Sequence, residues 1–197
     1  MKITYKDKTM EIQEPQKVID VFKKECNEHV IACICNNQIQ SLNHILKEDT
    51  NIKFIDISDK DGLRIYIRGL SYIMAKAFSE VYPKALLTVD YQLSNSMFFE
   101  IDNMKVTDEM LEAVSNRMHQ IVQDDLPIAK VIMTKEEADE FYEKNKTLKG
   151  ILQKDIKERD HVTLYYCEDY YNYFYGVMPI STKYMKIFKL EKYKHGF

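Results

Sequence analysis

Three residues in the first half of the chain have side chains and a spacing that suit the binding of an anion. Arg68, Tyr72 and Lys76 follow one another at intervals of four residues, so on a helix their side chains lie along one face. The guanidinium and ammonium groups can donate hydrogen bonds to phosphate, and the ring between them offers a stacking surface for a base. The alternative is that Arg68 and Lys76 are solvated helix residues with no ligand.

A helix of about five turns must position these three side chains. Within residues 61–83, apolar residues recur at the three- and four-residue spacing that forms one continuous stripe: Tyr66, Leu70, Ile73, Ala77 and Val81. The stripe predicts that this helix is buried, with the Arg68 face next to it.

The cysteines raise the possibility of metal binding. Cys33 and Cys35 are two residues apart in an apolar run, which places both on one face of a strand, and His29 precedes Cys33 by four residues. A structural zinc site needs four ligands, and no further ligand stands at a familiar spacing. Cysteines in a core strand are common, so we expect no metal site here. The few, widely spaced glycines also form neither a P-loop nor a GxGxxG motif.

A tyrosine-rich segment near the C-terminus precedes a lysine-rich one. Six tyrosines fall within residues 165–175, at 165, 166, 170, 171, 173 and 175, and lysines follow at 183, 186, 189, 192 and 194. Aromatic residues beside basic ones can stack bases and follow a phosphate backbone. Tyrosines also favour strands, however, and lysines spaced by three usually form a solvated face. The segment therefore predicts either an RNA surface or an ordinary strand followed by a charged surface.

Composition limits the function classes. The 197 residues are 45% hydrophobic and 30% charged, with a net charge of -3 and a pI near 6. These values are typical of a globular protein and give no global attraction to nucleic acid. No apolar run is long enough to cross a membrane, and the N-terminus lacks the apolar core of a signal peptide. We expect a cytoplasmic protein without a membrane partner.

The first 60 residues predict a small α+β unit. Short alternating runs at 2–5 and 9–12 surround a turn, and Pro15 precedes a helix whose inward residues include Val18 and Phe22. A strand at 30–35 and an Asn-Asn turn follow, then short strands at 39–42 and 52–57. This order of strands and helix predicts a ubiquitin-like β-grasp.

Two longer stretches carry a resemblance to a known family. Residues 36–62, NNQIQSLNHILKEDTNIKFIDISDKDG, resemble the end of the TGS domain of threonyl-tRNA synthetases. Residues 98–142, from FFEID to DEFY, and the segment PISTKYMKIFKL resemble the editing domain that follows it. The resemblance implies an α+β fold in two units: a TGS-like β-grasp at 1–60 and an editing-domain-like unit of the threonyl/alanyl-tRNA synthetase type at 61–197.

The residues that this family uses for hydrolysis are replaced. Its editing domain carries HxxxH on the first helix and CxxxH in a late segment. Aligned with this chain, the helix pair falls on Arg68 and Tyr72 and the late pair on Phe174 and Met178. Arginine is no general base, and phenylalanine and methionine supply neither thiolate nor imidazole. We therefore expect no catalytic residue and no bound metal, and a reshaped pocket formed by Arg68, Tyr72, Lys76, Phe174 and Met178.

A retained scaffold without catalytic residues is similar to the N-terminal region of certain bacterial nucleoside kinases of the uridine kinase type. That resemblance implies a binding or regulatory region whose P-loop kinase domain, with ATP and magnesium, lies in the same polypeptide outside this chain. The alternatives are a tRNA-editing hydrolase, which the replaced histidines and cysteine argue against, and a module that binds RNA or an alarmone. A nucleotide or RNA is the expected ligand.

Overall fold

The computed structural model describes residues 1–94, 96–145 and 161–197. Its first unit contains a five-stranded mixed sheet in the order β2-β1-β7-β4-β5, in which β1 is parallel to β7 and the other pairs are antiparallel. In chain order the elements of this unit are β1 (Lys2–Tyr5), β2 (Lys8–Glu11), β3 (Gln16–Lys17), α1 (Val18–Val21), β4 (Val30–Cys35), β5 (Gln38–Gln40), β6 (Ile45–Leu46) and β7 (Thr50–Asp56). The predicted β-grasp is confirmed.

Local chemistry explains the shape of this unit. Asn36 and Asn37 both have positive φ angles, 46° and 67°, as the tight turn between β4 and β5 requires. The helix expected after Pro15 is only one turn long, because Gln16 and Lys17 pair with β6 first and the β-branched residues that follow are weak helix formers. Phe22 is nevertheless buried, as the sequence predicted.

The central helix α2 (Lys60–Val81) has 22 residues and packs against both units. Gly62 lies so close to the end of β7 that an added Cβ would come within 1.8 Å of the Asp56 carbonyl oxygen. At Gly69, a Cβ would approach Pro179 and Met185 at 2.8 Å. The two glycines therefore allow other parts of the chain to pack directly against the helix backbone.

After α2, the described residues combine two antiparallel sheets with two further helices. The elements are β8 (Leu87–Leu93), β9 (Ser96–Ile101), α3 (Asp108–Gln123), β10 (Ala129–Thr134), α4 (Lys135–Asn145), β11 (His161–Cys167), β12 (Tyr170–Tyr173) and a single 3₁₀ turn at Thr182–Tyr184. Strands β8 and β9 form a hairpin, and β10, β11 and β12 form a sheet in that order. The sequence did not predict β10, since its mostly half-buried residues give no strong alternation of apolar and polar residues.

One hydrophobic core continues across residue 60. It joins Ile3 and Phe22 of the first unit to Ile73 of α2, Val114 of α3 and Phe197 at the end of the chain. The backbone of Phe197 pairs with that of Phe99 in both directions, which fixes the C-terminal segment against β9. No helix in the described ranges is long and apolar enough to cross a membrane.

Candidate binding site on the central helix

The face of α2 that carries Arg68, Tyr72 and Lys76 is covered by the hairpin of β11 and β12 and by the segment that follows it. Tyr72 and Lys76 are fully buried, and Arg68 is half-buried. The face therefore borders the protein interior along most of its length.

Tyr72 lies at the centre of this contact. Its hydroxyl donates to the Tyr170 carbonyl oxygen at 2.9 Å, with the Tyr165 carbonyl oxygen a second acceptor at 3.3 Å. Its ring meets those of Tyr170 and Phe174 edge to face, with centroids 5.4 and 5.6 Å apart. Burial raises the pKa of Tyr72, so the hydroxyl remains a neutral donor. Tyr72 thus ties the helix to both strands of the hairpin.

Arg68 contacts the turn after β12. Its Nη1 donates to the Val177 carbonyl oxygen at 2.5 Å, and its guanidinium lies against Gly176, which has a φ of +79°. Burial lowers the pKa of Arg68, but an arginine remains charged in proteins. Among the described residues, no carboxylate lies within 4 Å of this guanidinium. Arg68 is therefore a half-buried cation that has a hydrogen bond to Val177 and no ion pair within the described ranges.

Lys76 is engaged differently. Its side chain is 1% exposed, and its Nζ lies 2.7 Å from Glu80 Oε1 and 3.1 Å from Glu168 Oε2. These are ion pairs by distance, although their angles depart from those of an aligned hydrogen bond. Burial lowers the pKa of Lys76, but the contacts with Glu80 and Glu168 outweigh burial and leave the pKa raised. Glu80 also pairs with Arg117 of α3, so Lys76 belongs to a closed ionic cluster.

The sequence predicted which residues lie near the Arg68 face of α2, but it did not predict how deeply Arg68 and Lys76 are buried. Phe174 lies against Tyr72 as expected, and Met178 is buried beside Val177, the residue that accepts from Arg68. Lys76 lies against the carboxylates of Glu80 and Glu168, whereas Arg68 contacts the turn after β12, so the two cations have different surroundings. Neither cation is a freely solvated helix residue. The Lys76–Glu80 pair was available from the sequence as an i,i+4 spacing, whereas the contact with Glu168 depends on the tertiary fold.

Three of the four thiols, those of Cys33, Cys35 and Cys167, are buried. Cys33 and Cys35 lie on one face of β4 with their Sγ atoms 3.7 Å apart, and the contact with Cys35, together with burial, raises the pKa of Cys33. Burial raises the pKa of Cys167 to about 11, against the opposing charge of Lys76. Within the described parts of the chain, no group of three or more histidine, cysteine, aspartate or glutamate residues is arranged to hold a metal ion.

The lysines expected to form a phosphate track are largely paired with carboxylates. Lys183 contacts Asp125 at 2.9 Å, Lys186 contacts Glu28, and Lys189 contacts Glu191. Several tyrosines of the preceding segment are partly or fully buried, and the Tyr165 hydroxyl donates to the Gly176 carbonyl oxygen at 2.6 Å. This arrangement favours a strand and a solvated charged surface, while RNA binding stays a prediction.

Comparison with known proteins finds relatives along nearly the whole chain. The chain is 28% identical over 192 residues to the threonine–tRNA ligase of Chlamydia caviae. The aligned residues cover 96% of this chain and 30% of that ligase. It is 27% identical over 197 residues to the threonine–tRNA ligase of Clostridioides difficile, covering 97% of this chain and 31% of that protein. No family model matches the chain.

These relatives confirm the resemblance to the N-terminal region of threonyl-tRNA synthetases. The chain spans about 30% of the length of the curated relatives it matches. These relatives are threonine–tRNA ligases, so they give no support to the nucleoside kinase suggested by the sequence.

Proposed function

We propose that this chain is a non-hydrolytic binding region, built on the architecture of the threonyl-tRNA synthetase N-terminus, that works within a longer protein. The observation that carries the proposal is the packing at the four positions aligned with the family's catalytic residues. Arg68 donates to Val177, Tyr72 contacts Phe174, and Met178 is buried. These side chains occupy the positions where a hydrolytic site would need a base and a metal ligand.

The ligand of this region, in this proposal, is an anion held by Arg68, and we expect it to be a nucleotide. Support comes from a half-buried guanidinium that uses one N–H on Val177 and has no carboxylate partner among the described residues. Lys76 is excluded from a direct role, since Glu80 and Glu168 neutralise it. A guanidinium binds phosphate through two parallel hydrogen bonds, so Arg68 alone provides a site for one phosphate group.

Calorimetric titration with uridine and adenosine nucleotides and with a short RNA tests this ligand. The informative variant is Arg68→Lys, because lysine keeps the charge but loses the paired donors; we expect binding to weaken about tenfold. Arg68→Ala also removes the hydrogen bond to Val177, so it should lower stability as well, contrary to what an exposed arginine would do. Equal binding by wild type and Arg68→Lys, or no binding by wild type, would leave Arg68 a structural residue only.

The longer protein is, in this proposal, a nucleoside kinase of the uridine kinase type, with ATP and magnesium handled by its kinase domain. This part rests on the sequence resemblance. The relatives found are threonine–tRNA ligases, which favour a synthetase-derived protein as the alternative. The reading frame that continues from Phe197 separates the two: a GxxxxGK[ST] motif supports the kinase, and a synthetase catalytic core supports the alternative.

A further inference from the structure

A cavity lies against α2 on a side other than the Arg68 face. It has a volume of about 520 Å³ and is bordered by α2, β9, α3 and the C-terminal segment 187–193. Helix α2 contributes Leu63, Ile67, Leu70 and Met74, none of which belongs to the Arg68 face. The volume is within the range of small-molecule sites in proteins.

The inner wall of this cavity suits an apolar molecule. Met97 of β9, Met118 of α3 and Met74 of α2 all line the space, and thioether side chains adapt to ligands of varied shape. Two hydroxyl groups of the lining are already engaged. The Tyr66 hydroxyl donates to the Ile187 carbonyl oxygen at 2.9 Å and accepts from the Ile187 N–H at 2.8 Å, and the Ser71 hydroxyl donates to the Ile67 carbonyl oxygen. Such a cavity favours apolar groups over water.

One lysine of the cavity lining has no ion-pair partner in the described ranges. Lys189 and Lys192 both line the cavity. Lys189 is paired with Glu191, whereas no carboxylate in the described ranges lies within ion-pair distance of Lys192; Glu109 interacts with Lys192 electrostatically from farther away. An apolar interior with such a lysine in its lining is complementary to a molecule that has an apolar body and one anionic group.

We propose that this cavity binds a small amphipathic monoanion, with its apolar body between α2 and β9 and its carboxylate at Lys192. The site does not include Arg68, so it stands independently of the nucleotide proposal. The matched probes are decanoate and 1-decanol, which share an apolar chain and differ in charge. Their binding is read from displacement of the fluorescent neutral probe N-phenyl-1-naphthylamine.

We expect both probes to displace the dye from wild type, and decanoate to bind about fivefold more tightly than decanol, the effect of one partly exposed ion pair. Lys192→Ala should remove that preference and leave decanol binding unchanged. Lys53→Ala, on β7 in the first unit, changes the net charge equally and should leave both affinities unchanged. A decanoate preference that survives Lys192→Ala, or is lost equally in Lys53→Ala, would contradict the assigned position of the anion.

Filling the cavity tests its location. Leu70→Trp on α2 and Met97→Trp on β9 should each abolish binding of both probes. Ile132→Trp, at an exposed site on β10, should leave binding intact. Because the chain contains no native tryptophan, the fluorescence of each introduced indole also reports whether it is buried in a folded protein. Undiminished binding in folded Leu70→Trp and Met97→Trp, or no dye displacement from wild type, would overturn the proposal.

Discussion

Lys76 is the residue at which burial and charge conflict most strongly. Its ammonium group is almost completely removed from water and is compensated by Glu80 and Glu168, both of which are more exposed than Lys76 itself. Taking an ammonium ion out of water costs several kcal/mol unless carboxylates compensate it. Substitutions of Lys76 and of its carboxylate partners should therefore change the stability of the protein by different amounts.

Removing the Glu80 carboxylate should lower the free energy of unfolding more than removing the buried Lys76 ammonium group. Glu80→Gln leaves Lys76 charged and less compensated, and we expect a loss of about 1 to 2 kcal/mol in the free energy of unfolding. Lys76→Met keeps the volume and leaves carboxylates that water can reach, so its effect should be smaller or even stabilising. Urea denaturation of the two variants makes the comparison. A larger loss for Lys76→Met would show that the ion pair itself, rather than the compensation of a buried charge, stabilises the fold.

The contribution of Glu80 should also depend on pH. Burial raises the pKa of Glu80, but its contacts with Arg117 and Lys76 outweigh burial and lower the pKa below its ordinary 4.5. A lowered folded-state pKa means stabilisation that is present above the unfolded-state pKa and lost as the pH falls through the folded-state value. The difference in unfolding free energy between wild type and Glu80→Gln should thus be constant from about pH 7 to about pH 5 and shrink below about pH 4.5. Urea denaturation across this range measures it, and a difference that grows with acidity would contradict the assignment.

Among the elements, the starts of α3 and α4 are fixed by contacts within a few residues. Thr107 accepts a hydrogen bond from the Met110 N–H at the start of α3. At the start of α4, Thr134 and Glu137 exchange the two hydrogen bonds of a capping box. These contacts span three residues, so local sequence determines them.

The cap of α3 gives a prediction at this scale. Thr107→Ala should lower stability by about 1 kcal/mol because the Met110 N–H loses its partner, while Thr107→Ser should keep most of the stability because serine caps as well. Chemical denaturation of both variants provides the values. Equal losses would mean that the threonine methyl group, rather than the hydroxyl, is what α3 requires.

Contacts between distant elements were harder to predict than caps. The stripe from Tyr66 to Val81 predicted a buried helix, and the β-grasp followed from alternation and turn residues. The sequence could not show that β11 and β12 cover the Arg68 face, because that contact joins residues about 100 positions apart, as in the Tyr72–Tyr170 hydrogen bond. It also could not show that Glu168, on the turn of that hairpin, reaches Lys76. A pattern of residue types predicts which side chains share a face of a helix, but it does not predict which other element packs on that face.

For the whole molecule, the main question is how the two proposed units join near residue 60. The core continues through the junction, and Gly62 contacts the end of β7 through its backbone. The division at residue 60 therefore describes two folding patterns that share one packed interface. We expect them to unfold together.

Gly62→Ala tests the junction. The added methyl group would meet the Asp56 carbonyl oxygen at 1.8 Å, so either α2 or β7 must shift, and we expect a loss of about 2 to 4 kcal/mol. Lys60→Ala, at an exposed position two residues earlier, is the matched control and should change little. Differential scanning calorimetry should show one transition in wild type that moves to lower temperature in Gly62→Ala. Two separate transitions in wild type, or an unchanged Gly62→Ala, would show that the units do not depend on each other.

We propose that this architecture has lost hydrolysis, and deacylation of seryl-tRNA made on threonine tRNA is the measurement that decides it. A threonyl-tRNA synthetase that retains HxxxH and CxxxH serves as the positive control. Because Arg68, Tyr72, Phe174 and Met178 supply neither a general base nor a metal ligand, we predict that the ester decays at its uncatalysed rate in the presence of the chain. Purified protein should also contain no zinc. Deacylation above the uncatalysed rate that disappears in Tyr72→Phe or Met178→Ala would contradict the account.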